Sequence, residues 1–316
     1  LPAELWLQIL HWAGAIARSN LASGPEPLDI NVAEARQTLQ TRLNVILVCQ
    51  LWRKIGTEML YHEVWVRHGA SMLVQALEGG KGVGEGNGKF VRCIHLSTSP
   101  ADLIDPSTST ILADRIIECC PNVQILLKDR QDSSGNATNT RLSLLSLPSH
   151  PLPLSLRRLD WCYNWTSKDQ HLLQFILSYA PNLEYLSLVG PAYRPFRPQN
   201  PVTLPALTTL RISAMDTNMI QQINTWSIPF FTRLIVNPSR SADFYSFMNT
   251  RGDQVQTLDF GAGSRLLRRD FLGRSLAACP KLRELSLYIM FTGPTNPAHN
   301  FPHHSLECVR LHSRPN

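Results

Sequence analysis

The chain has 316 residues, 43% of them hydrophobic, and 30 Lys and Arg against 24 Asp and Glu, for a formal net charge of +6. This content excludes wholesale disorder, and the basic excess is too scattered for a nucleic-acid track, its densest pieces being only the pairs Arg157-Arg158 and Arg268-Arg269. Seven irregularly spaced cysteines form no disulfide framework and no run of about 18 apolar residues offers a membrane span, so an intracellular setting, cytoplasm or nucleus, is expected.

Residues 1–68 carry two helical patterns. Leu1-Pro2-Ala3-Glu4-Leu5-Trp6-Leu7-Gln8-Ile9-Leu10 places Pro2 where a helix can begin and sets Leu5, Ile9 and Trp12 on one face. A second cluster runs from Leu43 to Trp52 and on through Ile55, Met59 and Leu60 to Tyr61, with Val48, Trp52 and Ile55 at helical spacing. The two clusters are expected to pack together, although they are too small for a self-sufficient core. In that order, Leu1-Pro2-x-Glu4-Leu5, Ile9-Leu10, Val48-Cys49-x-x-Trp52-Arg53 and Leu60-Tyr61 resemble the F-box, the helical motif that docks on the Skp-type linker of cullin-RING ubiquitin ligases. The resemblance implies that Leu1, Pro2, Leu5, Ile9, Val48, Cys49 and Trp52 lie at or beneath the linker-binding surface, where apolar burial supplies most of the affinity. It departs from the compact motif between Gly14 and Arg42, a longer interval broken by Ser23-Gly24-Pro25-Glu26-Pro27; similar expanded forms occur in fungal F-box-like proteins.

Residues 69–88 read as a Gly-rich linker. A phosphate loop is excluded because the six-residue frame before Lys89 begins at Val83 and is followed by Phe90, and no Gly-x-Gly-x-x-Gly threads through the run. A flexible connection is the simpler reading.

From residue 89 to 316 one frame recurs: apolar-x-x-apolar-x-apolar. Val91 to Leu96, Leu156 to Trp161, Leu183 to Leu188, Leu207 to Ile212, Phe231 to Val236, Val255 to Phe260, Leu282 to Leu287 and Leu306 to Leu311 fit it, and Val123 to Lys128 fits in part. The middle apolar residues are Ile94, Leu126, Leu159, Leu186, Leu210, Leu234, Leu258, Leu285 and Val309, spaced by 32, 33, 27, 24, 24, 24, 27 and 24. The polar stretch Gln131 to Thr140 is one insertion that lengthens the early spacing. Between the frames the period changes to that of helices, expected at Thr110 to Cys120, Ser167 to Ala180, Asp216 to Trp226, Ser241 to Asn249 and Arg268 to Cys279. Pro121, Pro181 and Pro280 follow three of these directly, where a residue that cannot continue a helix marks the turn.

Cys120-Pro121-Asn122-Val123, Ala180-Pro181-Asn182-Leu183 and Cys279-Pro280-Lys281-Leu282 resemble the helix exit of irregular leucine-rich repeat proteins, whose periods run about 20 to 29 residues. The unit around Phe231 lacks the Pro-Asn-Leu lead. The resemblance implies an α/β leucine-rich repeat solenoid, with parallel strands on the concave side and helices outside, preceded by a small all-α F-box module. In such a sheet Arg158, Asp160, Tyr185, Arg211, Arg233, Asp259, Glu284, Tyr288 and Arg310 flank the central apolar positions and point toward a bound target.

No Gly-x-Ser-x-Gly or His-Glu-x-x-His motif occurs and the carboxylates show no acid–base pairing, so no catalysis is expected. The adjacent pairs Cys119-Cys120 and His303-His304 lack metal-ligand spacing, and neither a metal nor a cofactor is expected. Arg251-Gly252-Asp253 reads as an incidental turn. The reading is a substrate-receptor adaptor that binds a Skp-type linker and cullin through residues 1–68 and an unknown target protein through the repeats, with no nucleic-acid or membrane partner. The alternative is a leucine-rich repeat scaffold whose degenerate F-box recruits no ligase.

Overall fold

The computed structural model describes residues 5–6, 8–9, 32–66, 70–79, 86–96, 115–128, 154–162, 173–174, 176–190, 202–213, 217–237, 241–261, 271–288 and 302–312. Ten strands lie in chain order in one sheet: β1 (Glu63–Val66), β2 (Cys93–Leu96), β3 (Ile125–Lys128), β4 (Arg158–Cys162), β5 (Tyr185–Val189), β6 (Thr209–Ser213), β7 (Arg233–Asn237), β8 (Thr257–Phe260), β9 (Glu284–Tyr288) and β10 (Cys308–His312). β2 to β10 coincide with the apolar frames. β1 was not expected and lies in the stretch assigned to the helical module. Contacts divide the chain into two compact units, Leu1–Asp160 and Trp161–Asn316.

The first unit opens with Leu5, Trp6, Gln8 and Ile9 in helical conformation, then α1 (Val32–Ile46) and α2 (Gln50–Tyr61), which pack together. Cys49 caps α2, its Sγ accepting the Trp52 N–H at 3.5 Å, and the Trp6 and Trp52 rings meet at 4.9 Å. β1 follows α2 after a single residue and pairs in parallel with β2, which pairs with β3. The stretch expected as a linker carries α3 (Ala70–Glu78) and ends in a 3-10 turn, Asn87–Phe90. Gly88 is buried there because a Cβ would stand 1.9 Å from the Cys119 carbonyl oxygen, so only glycine lets this turn rest on the next coil. Residues 115–118 are helical, and Arg115 ties this coil to α3 through Glu78 Oε1 at 2.7 Å.

In the second unit α4 (Thr217–Thr225), α5 (Ser241–Arg251) and α6 (Phe271–Ala278) alternate with the strands; α4 and α6 lie inside helical stretches read from the sequence, and α5 runs two residues past its expected end at Asn249. β5 to β10 pair in parallel with Leu186, Leu210, Leu234, Leu258, Leu285 and Val309 in one register row. The leucines of that row are buried, each stabilising the fold by about 1.5–3 kcal/mol, whereas Val309 and Leu311 on β10 are exposed. Trp226, Phe231, Phe247 and Phe260 fill the space between sheet and helices.

One local device repeats in both units and explains the apolar frame. The N–H of the frame's first residue donates to the carbonyl three residues earlier, closing a turn: Val123 to Cys120 at 3.4 Å, Leu183 to Ala180 at 3.2 Å, Leu207 to Leu204 at 3.3 Å, Phe231 to Ile228 at 3.3 Å and Leu282 to Cys279 at 3.1 Å. Proline occupies the second position of each, at 121, 181, 205, 229 and 280, where its fixed φ suits the turn. The unit around Phe231, which lacks Pro-Asn-Leu, therefore makes the same turn through Pro229. The coils are then stitched by shared acceptors: Thr208 O takes the N–H groups of both Thr232 and Arg233, and Thr232 O those of Gln256 and Thr257. Arg251 of the Arg-Gly-Asp tripeptide donates from Nη2 to Asn224 O at 2.8 Å and to Trp226 O, closing the preceding coil, and a Cβ on buried Gly252 would meet Ala278 O.

Candidate functional site

The α1–α2 region presents an unusual set of apolar side chains to solvent. Leu5 and Ile9 are exposed, as are Leu39 on α1, Leu47 (78%) and Val48 (61%) in the turn before α2, and Leu51 in its first turn. Leu47, Val48 and Leu51 stand within five residues of one another, and exposed apolar side chains so close together are the kind of feature that a binding surface carries. Of the residues that the F-box resemblance singles out, Leu5, Ile9, Val48 and Cys49 are exposed and Trp52 is half-buried against Trp6. Leu1 and Pro2 lie outside the described residues. Leu39, Leu47 and Leu51 were not singled out; Leu47 and Leu51 flank Val48 in the sequence, and that adjacency is the signal that could have found them.

Strand register decides which side chains leave the leucine core. On the first unit's part of β4, Arg158 and Asp160 project from the face opposite Leu159, yet Arg158 is 0% exposed and donates from Nε to Asp160 Oδ2 at 2.7 Å. In the second unit the first row away from the core reads Tyr185, Thr209, Arg233, Thr257, Glu284 and Cys308. The next row reads Ser187, Arg211, Ile235, Asp259, Ser286 and Arg310. Tyr185 is buried, whereas Arg211, Arg233, Asp259 and Glu284 are half-exposed and Arg310 is exposed. Opposite charges alternate along these rows: Arg233 stands 3.9 Å from Asp259 and Arg310 3.1 Å from Glu284. Tyr288 packs on His312 with ring centroids 5.2 Å apart, and His312 Nε2 is 2.8 Å from Ser286 Oγ. The result is a set of charged and aromatic groups at strand spacing on one face of the sheet.

The adjacent cysteines behave as core residues. Cys119, Cys120 and Cys279 are buried; burial drives the Cys119 thiol up to about 11, helped by the Glu78 charge, and burial drives Cys120 and Cys279 up to about 12. All seven cysteines are free thiols. A different group of potential ligands, Glu63, Cys93 and His95, converges among the described residues; sequence inspection of adjacent pairs passed over it.

Parallel strands in chain order, one buried leucine row per unit and a helix or tight turn between strands define an α/β leucine-rich repeat fold. No protein-family model matches the chain, and no curated protein does. Among solved structures it is similar to the leucine-rich repeat-containing protein LegL7 of Legionella pneumophila, at 14% identity and a TM-score of 0.47 over 80% of this chain and 91% of that one. It is also similar to a protein of Bacteroides fragilis, at 12% identity and a TM-score of 0.37 over 75% of this chain and 70% of that one. No helix among the described residues is long and apolar enough to cross a membrane.

Proposed function

We propose that the chain is a non-catalytic adaptor of an SCF-type cullin-RING ubiquitin ligase: residues 1–68 dock on a Skp-type linker, residues 69–88 connect, and the repeats of 89–316 hold a target protein. The observation that carries this reading is the exposure of Leu5, Ile9, Leu47, Val48 and Leu51 immediately ahead of a repeat domain. Such side chains cost solubility when bare and yield affinity when a partner's groove covers them. The target side is assigned to the accessible residues of the two polar rows, Arg211, Arg233, Asp259, Glu284 and Arg310, with Tyr288. Arg158 and Tyr185 are buried, and Asp160 accepts from Arg158, so these three offer little accessible surface.

Co-purification of the full chain with the Skp-type linker tests the docking half. Capture is expected from the wild type and is expected to weaken by about 30-fold or more for Leu5→Asp or Ile9→Asp, the loss typical of an interface anchor. Absence of capture by the wild type rejects the ligase assignment and leaves a leucine-rich repeat scaffold, a reading that a target bound by the repeats alone would favour.

A further inference from the structure

We propose that Glu63, Cys93 and His95 form a zinc site that clasps β1 to β2. The three residues come from neighbouring strands on one face: Glu63 is the register partner of Cys93, and His95 follows two residues along. All three are buried, His95 to 1% exposure. His95 Nε2 lies 2.8 Å from Glu63 Oε1 and 3.3 Å from Cys93 Sγ, and one ligand atom from each residue falls within 4.8 Å of the others. Tetrahedral zinc at ordinary bond lengths separates neighbouring ligand atoms by about 3.3–3.7 Å. Side-chain shifts of about 1 Å or less would thus admit the ion, with no change of strand register.

The surroundings hold the three side chains in place. The Trp65 ring stacks on the imidazole, centroids 4.3 Å apart and planes 8° from parallel, and its Nε1 donates to Glu63 Oε1 at 3.3 Å. Arg42 stands 3.8 Å from the other carboxylate oxygen, Glu63 Oε2, so one oxygen is held by the guanidinium while Oε1 faces the sulfur and the imidazole. His95 Nε2, facing Glu63 Oε1, carries the proton of that contact; when zinc takes Nε2 the proton moves to Nδ1, which is buried without a hydrogen-bond partner among the described residues. Beyond the thiol, Cys93 packs with Ile125 and Leu127, which give the group an apolar wall. Equivalent positions on β6 and β8 carry Thr209, Arg211, Thr257 and Asp259, so the donor set belongs to this pair of strands and not to the repeat pattern.

A thiolate, an imidazole and a carboxylate suit zinc, since magnesium and calcium take oxygen shells and copper(I) prefers sulfur alone. Zinc entry sends the Cys93 thiol proton to solvent and leaves two anionic ligands that cancel the ion's charge, the condition for holding it in a buried place. Three protein ligands leave a fourth position for water.

The test uses the full chain stripped with a chelator and titrated with zinc against a chromogenic competitor, then with cobalt(II) alone. One equivalent of zinc is expected, and the cobalt form should show a thiolate-to-metal charge-transfer band with tetrahedral d–d absorption. Cys93→Ser should abolish the band, Trp65→Phe should weaken zinc binding by about tenfold, as for an outer-shell partner, and Cys308→Ser should keep the band. Less than one equivalent of zinc, cobalt bound without the sulfur band, or a band that survives in Cys93→Ser overturns the proposal. If Cys93→Ser does not fold, the wild-type cobalt spectrum decides by itself. Linker capture is read separately, so the two proposals fail independently.

Discussion

The sheet face away from the leucine core is built differently in the two units. On β1 to β3 those positions hold Glu63, Cys93, His95, Ile125 and Leu127, all buried, with Trp65 partly exposed; on β6 to β10 they hold the partly exposed Arg211, Arg233, Asp259 and Glu284 and the exposed Arg310, beside the buried Ile235 and Ser286. Position within a repeat therefore fixes the direction of a side chain, while the segments around it decide whether solvent or protein meets it. The first region keeps its polar groups inside the protein, and the second leaves several of its charges within reach of solvent.

The sharpest way to break this comparison is to truncate arginines that occupy the same kind of position. Arg158 is fully buried and Asp160 keeps 17% of its side chain exposed, so Arg158→Ala removes a packed guanidinium and leaves a mostly covered carboxylate without it, at an expected cost of about 2–4 kcal/mol. Arg233 is partly exposed and its distance to Asp259 is long, so Arg233→Ala is expected to cost less than about 1 kcal/mol. Urea denaturation of the two variants reads the difference directly; equal losses would show that burial does not separate the regions.

What was legible in the sequence follows from the same physics. The leucine row recurs because successive coils bury the same positions, so β2 to β10 could be placed from Ile94 to Val309 by the apolar frame, although the first two spacings are lengthened. The helices of the second unit could be placed by their apolar period, and Pro280 marks the exit of α6. The turns at Pro205 and Pro229 use the same chemistry with Leu-Pro-Ala-Leu and Ile-Pro-Phe-Phe, a signal hidden by looking for asparagine in the third place. β1 was missed although Tyr61-His62-Glu63-Val64-Trp65-Val66 fits the frame, because α2 runs straight into it. The burial of Arg158 and Tyr185 and the meeting of Glu63 with His95 were not legible. They depend on neighbours at no fixed separation: Arg42 reaches Glu63 from another element, and Glu63 meets Cys93 only once β1 pairs with β2.

A feature common to the two units should give an intermediate effect. Cys120 in the first and Cys279 in the second sit at the same step, the carbonyl that closes the proline turn, and burial drives both thiols from 9.0 up to about 12. A thiol whose folded pKa lies above its unfolded one contributes stability that is complete below the unfolded value and is lost as pH rises toward the folded value. Stability should therefore hold below pH 9.0 and fall above it, by about 1.4 kcal/mol for each such thiol near pH 10. Comparison of wild type with Cys120→Ala and Cys279→Ala across that window isolates the two groups from other alkaline titrations. An unchanged slope in both variants would remove the matched environment from the comparison.

The smallest effect expected is at the exposed end of the polar rows. Arg310 Nη2 and Glu284 Oε2 are 3.1 Å apart across β9 and β10, a good hydrogen-bonding distance, but both side chains are open to solvent. Water screens the attraction and ordering two long side chains costs entropy, so a double-mutant cycle of Arg310→Ala and Glu284→Ala should give a coupling of about 0–1 kcal/mol that shrinks with added salt. A pair worth so little to the fold is one that a partner can separate at small cost, exchanging the internal contact for contacts of its own. If the coupling instead exceeds about 2 kcal/mol and resists salt, the pair serves the sheet, and the accessible face must be drawn without it.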